Sequence, residues 1–328
     1  MLRAVVSGVG LMGRLHAGEY ASMEDVELVG LVEPDVARHE ALRQEYQVPV
    51  AAHPEVFLGE CDVVSVCAPD HLHLAAVSPW LAAGARILLE KPLAMSVQEG
   101  QEILAGRRHV DDLMIGHILR FDPRVIRIRE LVRSGQLGEV KQVEVWRSTT
   151  RTVGATPSSR TSVAWFLGIH DADLVRFTTG LELDSLSSVG SRWCSDHYDA
   201  VYSLIRYTSG AIGTMSNYWT LPDGRPNRAH AGLRVIGSTG SVETDLGHID
   251  LLHSTMTGAV NPDTRFWPSA THTGVSNIGV ELRAFVDAAK TGAPTPVSGE
   301  DGLAAVSVIE RIHAELARNA GDNARAGH

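Results

Sequence analysis

Gly8, Gly10 and Gly13, with Leu11 and Met12 between them, follow directly on the apolar run Ala4–Val6 and open a segment of helical texture. In that context the first glycine allows a tight turn and the second lets the backbone approach a pyrophosphate. The third lets helix and strand pack closely, while the helix N-terminus offers positive potential to phosphate. Twenty residues after Gly13, Glu33 ends a second apolar run. A carboxylate there accepts hydrogen bonds from the adenosine ribose hydroxyls and repels a 2′-phosphate. Types and spacing together predict a dinucleotide site, for NAD in preference to NADP.

Three further stretches carry reactive side chains. Glu90-Lys91-Pro92 follows the run Arg86–Leu89, and ligands of open α/β sheets bind at strand carboxyl ends. A lysine beside a nicotinamide lowers the pKa of a bound hydroxyl or steadies a developing alkoxide; exposure statistics alone make it a surface lysine. Arg120, in Gly116-His117-Ile118-Leu119-Arg120-Phe121-Asp122-Pro123, reads either as the mouth of a cleft or as a domain-junction salt bridge. His170, within Trp165–Asp173, has the near-neutral pKa of a proton carrier in alcohol oxidation, or is a satisfied core or capping residue beside Ile169 and Leu174. His71 and His73 are too sparse for a metal site, with no acid at ligand spacing. Cys61, Cys67 and Cys194 lack CxxC spacing, which excludes a zinc site and a disulfide framework; the first two flank a run of valines and read as buried thiols. No metal is expected.

The elements that must hold these residues follow from the apolar pattern. Short runs at Ala4–Val6, Leu28–Val32, Val63–Cys67, Arg86–Leu89 and Leu113–Ile115 alternate with helical stretches such as Val36–Tyr46 and Leu74–Ala83. That alternation predicts a parallel, doubly wound sheet covered on both faces. From Pro123 a helix runs to Arg133, and strand-like segments then follow one another at Glu139–Arg147, Leu186–Trp193, Ala200–Tyr207, Ala211–Thr220, Leu233–Ile236 and Ser241–Asp245. Strands without intervening helices favour antiparallel pairing, hence an open α+β sheet. Ile278, Leu282, Phe285, Val286 and Ala289, then Ala305, Ile309, Ile312 and Leu316, mark two closing helices, the second preceded by the capping-box pattern Ser298-Gly299-Glu300-Asp301. The expected domains are 1–121 and 122–328, an α/β dinucleotide-binding domain followed by an α+β domain with a large, mostly antiparallel open sheet.

At 328 residues, with 44% hydrophobic and 21% charged residues, the chain is long enough for two cores. Its net charge of −10, without a basic block, argues against nucleic acid or an anionic membrane as partner. No apolar run approaches the ~18 residues of a membrane span. The N-terminus enters an apolar strand without a separate signal-peptide core, so the expected compartment is the cytoplasm.

Taken together, Gly8-x-Gly10-x-x-Gly13, Glu33, Ala68-Pro69-x-x-x-His73, Glu90-Lys91-Pro92, Arg120-Phe121 and Gly168-Ile169-His170-Asp171 resemble the glucose–fructose oxidoreductase / inositol dehydrogenase (Gfo/Idh/MocA) family. Ile236–Ser241 and Val297–Gly302 resemble it too, so the likeness spans nearly the whole chain. It implies an N-terminal Rossmann domain that holds NAD through the glycine loop, Glu33, Ala68, Pro69, His73, Glu90, Lys91 and Pro92. It further implies a second domain for substrate binding and oligomerisation, in which His170 acts as general acid/base alongside Lys91, with Arg120 and Asp171 toward the substrate. The activity implied is hydride transfer at a secondary hydroxyl or ketone of a sugar, cyclitol or nucleotide-sugar, in a homodimer or homotetramer. The family also implies two alternatives, a glycosidase that oxidises transiently with NAD and a cofactor-binding repressor without redox turnover. One departure stands out: the family often carries an aspartate four residues before this histidine, where this chain has Phe166.

Overall fold

Six short strands of the N-terminal region pair in parallel in the computed structural model, which describes residues 1–247, 251–256, 258–261 and 276–326. They are β1 (Leu2–Ser7), β2 (Val26–Val32), β3 (Val50–Ala51), β4 (Val63–Val66), β5 (Arg86–Glu90) and β6 (Leu113–Gly116), in the order β3-β2-β1-β4-β5-β6. Consecutive residues such as Ala4, Val5 and Val6, or Ile87, Leu88 and Leu89, are wholly buried. Only a strand covered on both faces uses such unbroken apolar runs. The helices α1 (Leu11–Ser22), α2 (His39–Tyr46), α3 (His73–Ala83) and α4 (Val97–Ala105) provide the crossovers. From β1 the strand order departs in both directions, and the crevice outside the carboxyl ends at such a switch point is where open sheets bind ligands.

The chain divides into two compact units, the first cut falling after Phe121. Within the second unit, α5 (Pro123–Arg133) precedes β7 (Val140–Thr150), α6 (Arg151–Ser158), a π-helical turn (Ala164–Gly168) and α7 (Ile169–Thr179). Strands β8 (Leu183–Ser191), β9 (Ala200–Tyr207), β10 (Ile212–Leu221), β11 (Ala229–Gly237) and β12 (Ser241–Asp245) complete a sheet of order β12-β11-β7-β10-β9-β8. Only β7 and β10 pair in parallel; the other four pairs are antiparallel, so the sheet is mixed and mostly antiparallel. Along β9, Val201, Ser203, Ile205 and Tyr207 point inward and Tyr202, Leu204 and Arg206 outward, the period-two pattern of a sheet covered on one face.

The expected second domain ran unbroken from 122 to 328, and the chain divides differently. Helix α8 (Asn277–Thr291) and the start of α9 (Gly299–Ala326) belong to the first unit, which takes back the chain as far as Val306. The reason is packing that spacing alone does not reveal. Ile278, Leu282, Phe285 and Val286 of α8 are buried, Ser276 hydrogen-bonds Glu19 of α1 at 2.9 Å, and Arg283 and Lys290 both pair with Asp25. The capping box of α9 forms as expected: Ser298 Oγ accepts from Asp301 N at 3.1 Å and Asp301 Oδ2 from Ser298 N at 3.2 Å.

Candidate active site

The glycine loop turns out of β1 as the local chemistry requires. Gly8 has φ +89°, a conformation that penalises any Cβ. A Cβ on Gly13 would stand 2.0 Å from Gly8 O, so α1 approaches the loop closely only because that position is glycine. A Cβ on Gly10 would meet nothing within 4 Å, so the space a pyrophosphate needs lies open at the N-terminus of α1, beside Leu11 and Met12. These features fit a dinucleotide. Glu33 stands one residue beyond β2, buried, its Oε2 accepting from Arg38 Nη1 at 2.6 Å and its Oε1 from Asp35 N at 3.1 Å. Arg38 also donates to Val9 O, which ties the acid to the glycine loop.

Ala68 and Pro69 follow β4, and Glu90, Lys91 and Pro92 form the turn that leaves β5. His73, at the start of α3, joins the two: its Nδ1 lies 2.6 Å from Pro92 O and its Nε2 3.0 Å from Ala68 O. Burial holds its pKa below the ordinary value despite those carbonyls, so its service is to brace two loops from beneath. Burial alone would push the Glu90 carboxyl up, but the hydrogen bond from His16, together with the Lys91 charge, holds it below the ordinary carboxylate range. Arg120 is buried and ion-paired with Asp301 at 2.9 Å, both in the first unit. Although burial opposes it, that pairing, with Ser298, holds the Asp301 carboxyl down at about 2.

In the second unit His170 sits half-buried in the first turn of α7. The next residue, Asp171, is entirely buried; its Oδ1 accepts from Arg147 Nε of β7 at 2.8 Å and its Oδ2 from Asn217 Nδ2 of β10 at 2.7 Å. Burial raises the Asp171 pKa, and Arg147 and Asn217 offset this only in part. Its carboxylate is committed to these partners and pins α7 to the sheet. The four-residue spacing of Phe166 and His170 presupposes an α-turn, and the structure departs from it. Ala164–Gly168 is π-helical, with the Ile169 N–H bonded to Ala164 O five residues back, and the Phe166 ring packs 6.4 Å from that of Trp219. Ser162 and Trp165 brace this turn against His313, through a 2.7 Å hydrogen bond and a stacked ring contact. Such wide turns recur at functional sites.

His16, Ser65 and Tyr20 escaped the sequence reading. Their signal was present: Gly13, His16, Ala17 and Tyr20 share the buried side of α1, and Ser65 is a wholly buried serine among valines. Among the described residues, no group of three or more His, Cys, Asp or Glu is placed to hold a metal ion, and no helix is long and apolar enough to cross a membrane.

A glycine loop, a buried acid just after β2 and a lysine turn on one Rossmann sheet, followed by a mixed-sheet domain, define a dinucleotide-binding oxidoreductase class. Residues 2–116 match the family model described as oxidoreductase family, NAD-binding Rossmann fold, and residues 125–243 match the GFO/IDH/MocA C-terminal domain. The chain belongs to the GFO/IDH/MocA oxidoreductase family. It is 27% identical over 320 residues to inositol 2-dehydrogenase of Rhizobium meliloti, covering 92% of this chain and 93% of that one. To UDP-N-acetylglucosamine 3-dehydrogenase of Acidithiobacillus ferrooxidans it is 28% identical over 218 residues, 66% of each chain. The fold matches that of scyllo-inositol dehydrogenase from Lactobacillus casei, solved with bound NAD(H) and scyllo-inositol, at TM-score 0.82 and 18% identity over 97% of this chain and 98% of that one.

Proposed function

We propose that the protein transfers hydride between NAD and a secondary hydroxyl, or the matching ketone, of a sugar, cyclitol or nucleotide-linked sugar. The observation that carries this reading is the position of Lys91 at the carboxyl end of β5, two strands from the glycine loop in the same sheet. The relatives' names supply the substrate class. When bound, the nicotinamide accepts or returns the hydride. The Gly10 backbone and the N-terminus of α1 hold the pyrophosphate, and Glu33 accepts from the ribose hydroxyls. Lys91 steadies negative charge developing on the substrate oxygen, and His170 carries the hydroxyl proton. A 2′-phosphate would meet the Glu33 carboxylate, so NAD binds more tightly than NADP; Arg38, bonded to that carboxylate, is the cation that would offset it.

The test is a screen of polyols, sugars and nucleotide-sugars for formation of reduced nicotinamide by purified protein. Oxidation of at least one such alcohol is expected. Dinucleotide binding with no alcohol oxidised would favour a regulator, and sugar release without net reduced cofactor a glycosidase. The outward face of the second sheet exposes Val189, Tyr202, Leu204 and Ile212, and we assign its cover to a second copy of the chain. Light scattering that finds a monomer at micromolar concentration would refute that assembly.

A further inference from the structure

Beneath the Lys91 turn runs a row of buried polar side chains within the first unit. Tyr20 Oη lies 2.8 Å from Ser65 Oγ, Ser65 Oγ 2.9 Å from His16 Nδ1, and His16 Nε2 3.2 Å from Glu90 Oε1; Glu90 Oε2 accepts the Lys91 N–H at 3.2 Å. Apolar side chains would fill this space at no desolvation cost, whereas each hydroxyl and the ring must find a partner. The row has one self-consistent direction with a neutral ring. Tyr20 donates to Ser65, Ser65 spends its single hydrogen on Nδ1, and the proton on Nε2 is left to point at the carboxylate.

We propose that His16 is a positioning residue for Lys91: its ring, fixed by Ser65 and Tyr20, holds the Glu90 carboxylate charged and oriented, and Glu90 in turn orients the Lys91 backbone and keeps its ammonium protonated. The inference rests on the assignment of Lys91 to the substrate oxygen. The groups facing Glu90 are His16 from α1, His73 from α3, Lys91 from its own turn and Cys67 from the end of β4; Glu281 of α8 faces Cys67 and Tyr20. Burial drives the Tyr20 and Cys67 pKa values upward, which keeps both neutral at working pH. His16 therefore supplies the hydrogen bond that keeps a buried carboxylate ionised. Without it Glu90 takes up a proton, Lys91 loses a negative neighbour, and the lysine pKa falls.

The sequence holds only three lysines, Lys91, Lys141 and Lys290, so each titration can be followed in one experiment. Competitive acetylation with acetic anhydride across pH, read by peptide mass spectrometry on cofactor-free protein, gives the Lys91 midpoint with the other two as internal references. His16→Leu is expected to lower that midpoint by about one pH unit. His16→Gln, which keeps an N–H toward Glu90, is expected to restore most of it, a rescue that lost packing alone does not produce. Should His16→Leu fail to fold, Glu90→Gln must show the same fall. Unchanged Lys91 midpoints in the variants overturn the proposal, whatever their stability. Because no cofactor or alcohol is present, a shifted midpoint in a protein that oxidises nothing upholds the His16 role and refutes the proposed activity. Turnover with an unshifted midpoint does the reverse.

Discussion

The two units solve the placement of a reactive side chain in opposite ways. In the first, the reactive residues sit on short turns at the ends of strands buried on both faces, each motif contiguous in sequence and braced from below by His16 and His73. In the second, His170 stands on a helix whose attachment depends on residues far away in the chain: Asp171 is held by Arg147 and Asn217, and the π turn before it by His313. Local geometry sets the first kind of site, and long-range pairing the second. Damage should accordingly be confined to the motif in the first unit and should spread through the fold in the second.

The largest expected effect is kinetic. His170→Ala should lower kcat by roughly 10²–10⁴ with dinucleotide affinity nearly intact by calorimetry; turnover at the wild-type rate would move the proton to another group. Arg147→Leu should follow, because it strands a wholly buried carboxylate. Denaturant unfolding should show a loss of about 3–5 kcal/mol, and a loss below about 1 kcal/mol would deny Asp171 its role as anchor. In the first unit, Gly10→Ala should leave the melting temperature unchanged, since its Cβ meets nothing within 4 Å, yet weaken NAD binding by about tenfold or more by intruding on the pyrophosphate space. Equal binding would remove the glycine loop from the cofactor site.

The smallest effect is electrostatic. Pairing with Arg120 depresses the Asp301 pKa to about 2, so its contribution is complete above the unfolded value of 3.8 and is lost as pH falls through about 2. The carboxylate is only partly shielded from solvent, which limits the loss to about 1 kcal/mol. Asp171 works in the opposite sense: its raised pKa makes stability fall as pH rises through the window above 3.8. Asp301→Asn should flatten the decline in urea midpoint between pH 4 and pH 2, and an unchanged slope would show that the Arg120 pair contributes nothing.

By itself the sequence determined the parallel sheet and the motifs on it. Unbroken apolar runs such as Ile87-Leu88-Leu89 suit only a doubly covered strand, and the glycine loop that opens at Gly8, Glu33 and Lys91 each come straight off the end of a strand, so chain order alone placed them at strand ends. Strand-like segments that follow one another without intervening helices likewise announced the open sheet of the second unit. Only the tertiary structure decided what depends on partners distant in sequence. It returned α8 and the start of α9 to the first unit, spent Arg120 on Asp301, and pinned α7 through Asp171 to β7 and β10. It also widened the turn carrying Phe166 and set His16 under Glu90. Spacing along a chain reports which face of an element a residue occupies. The group it meets there is chosen by burial, which forces each desolvated polar atom to find a partner from whichever element packs against it.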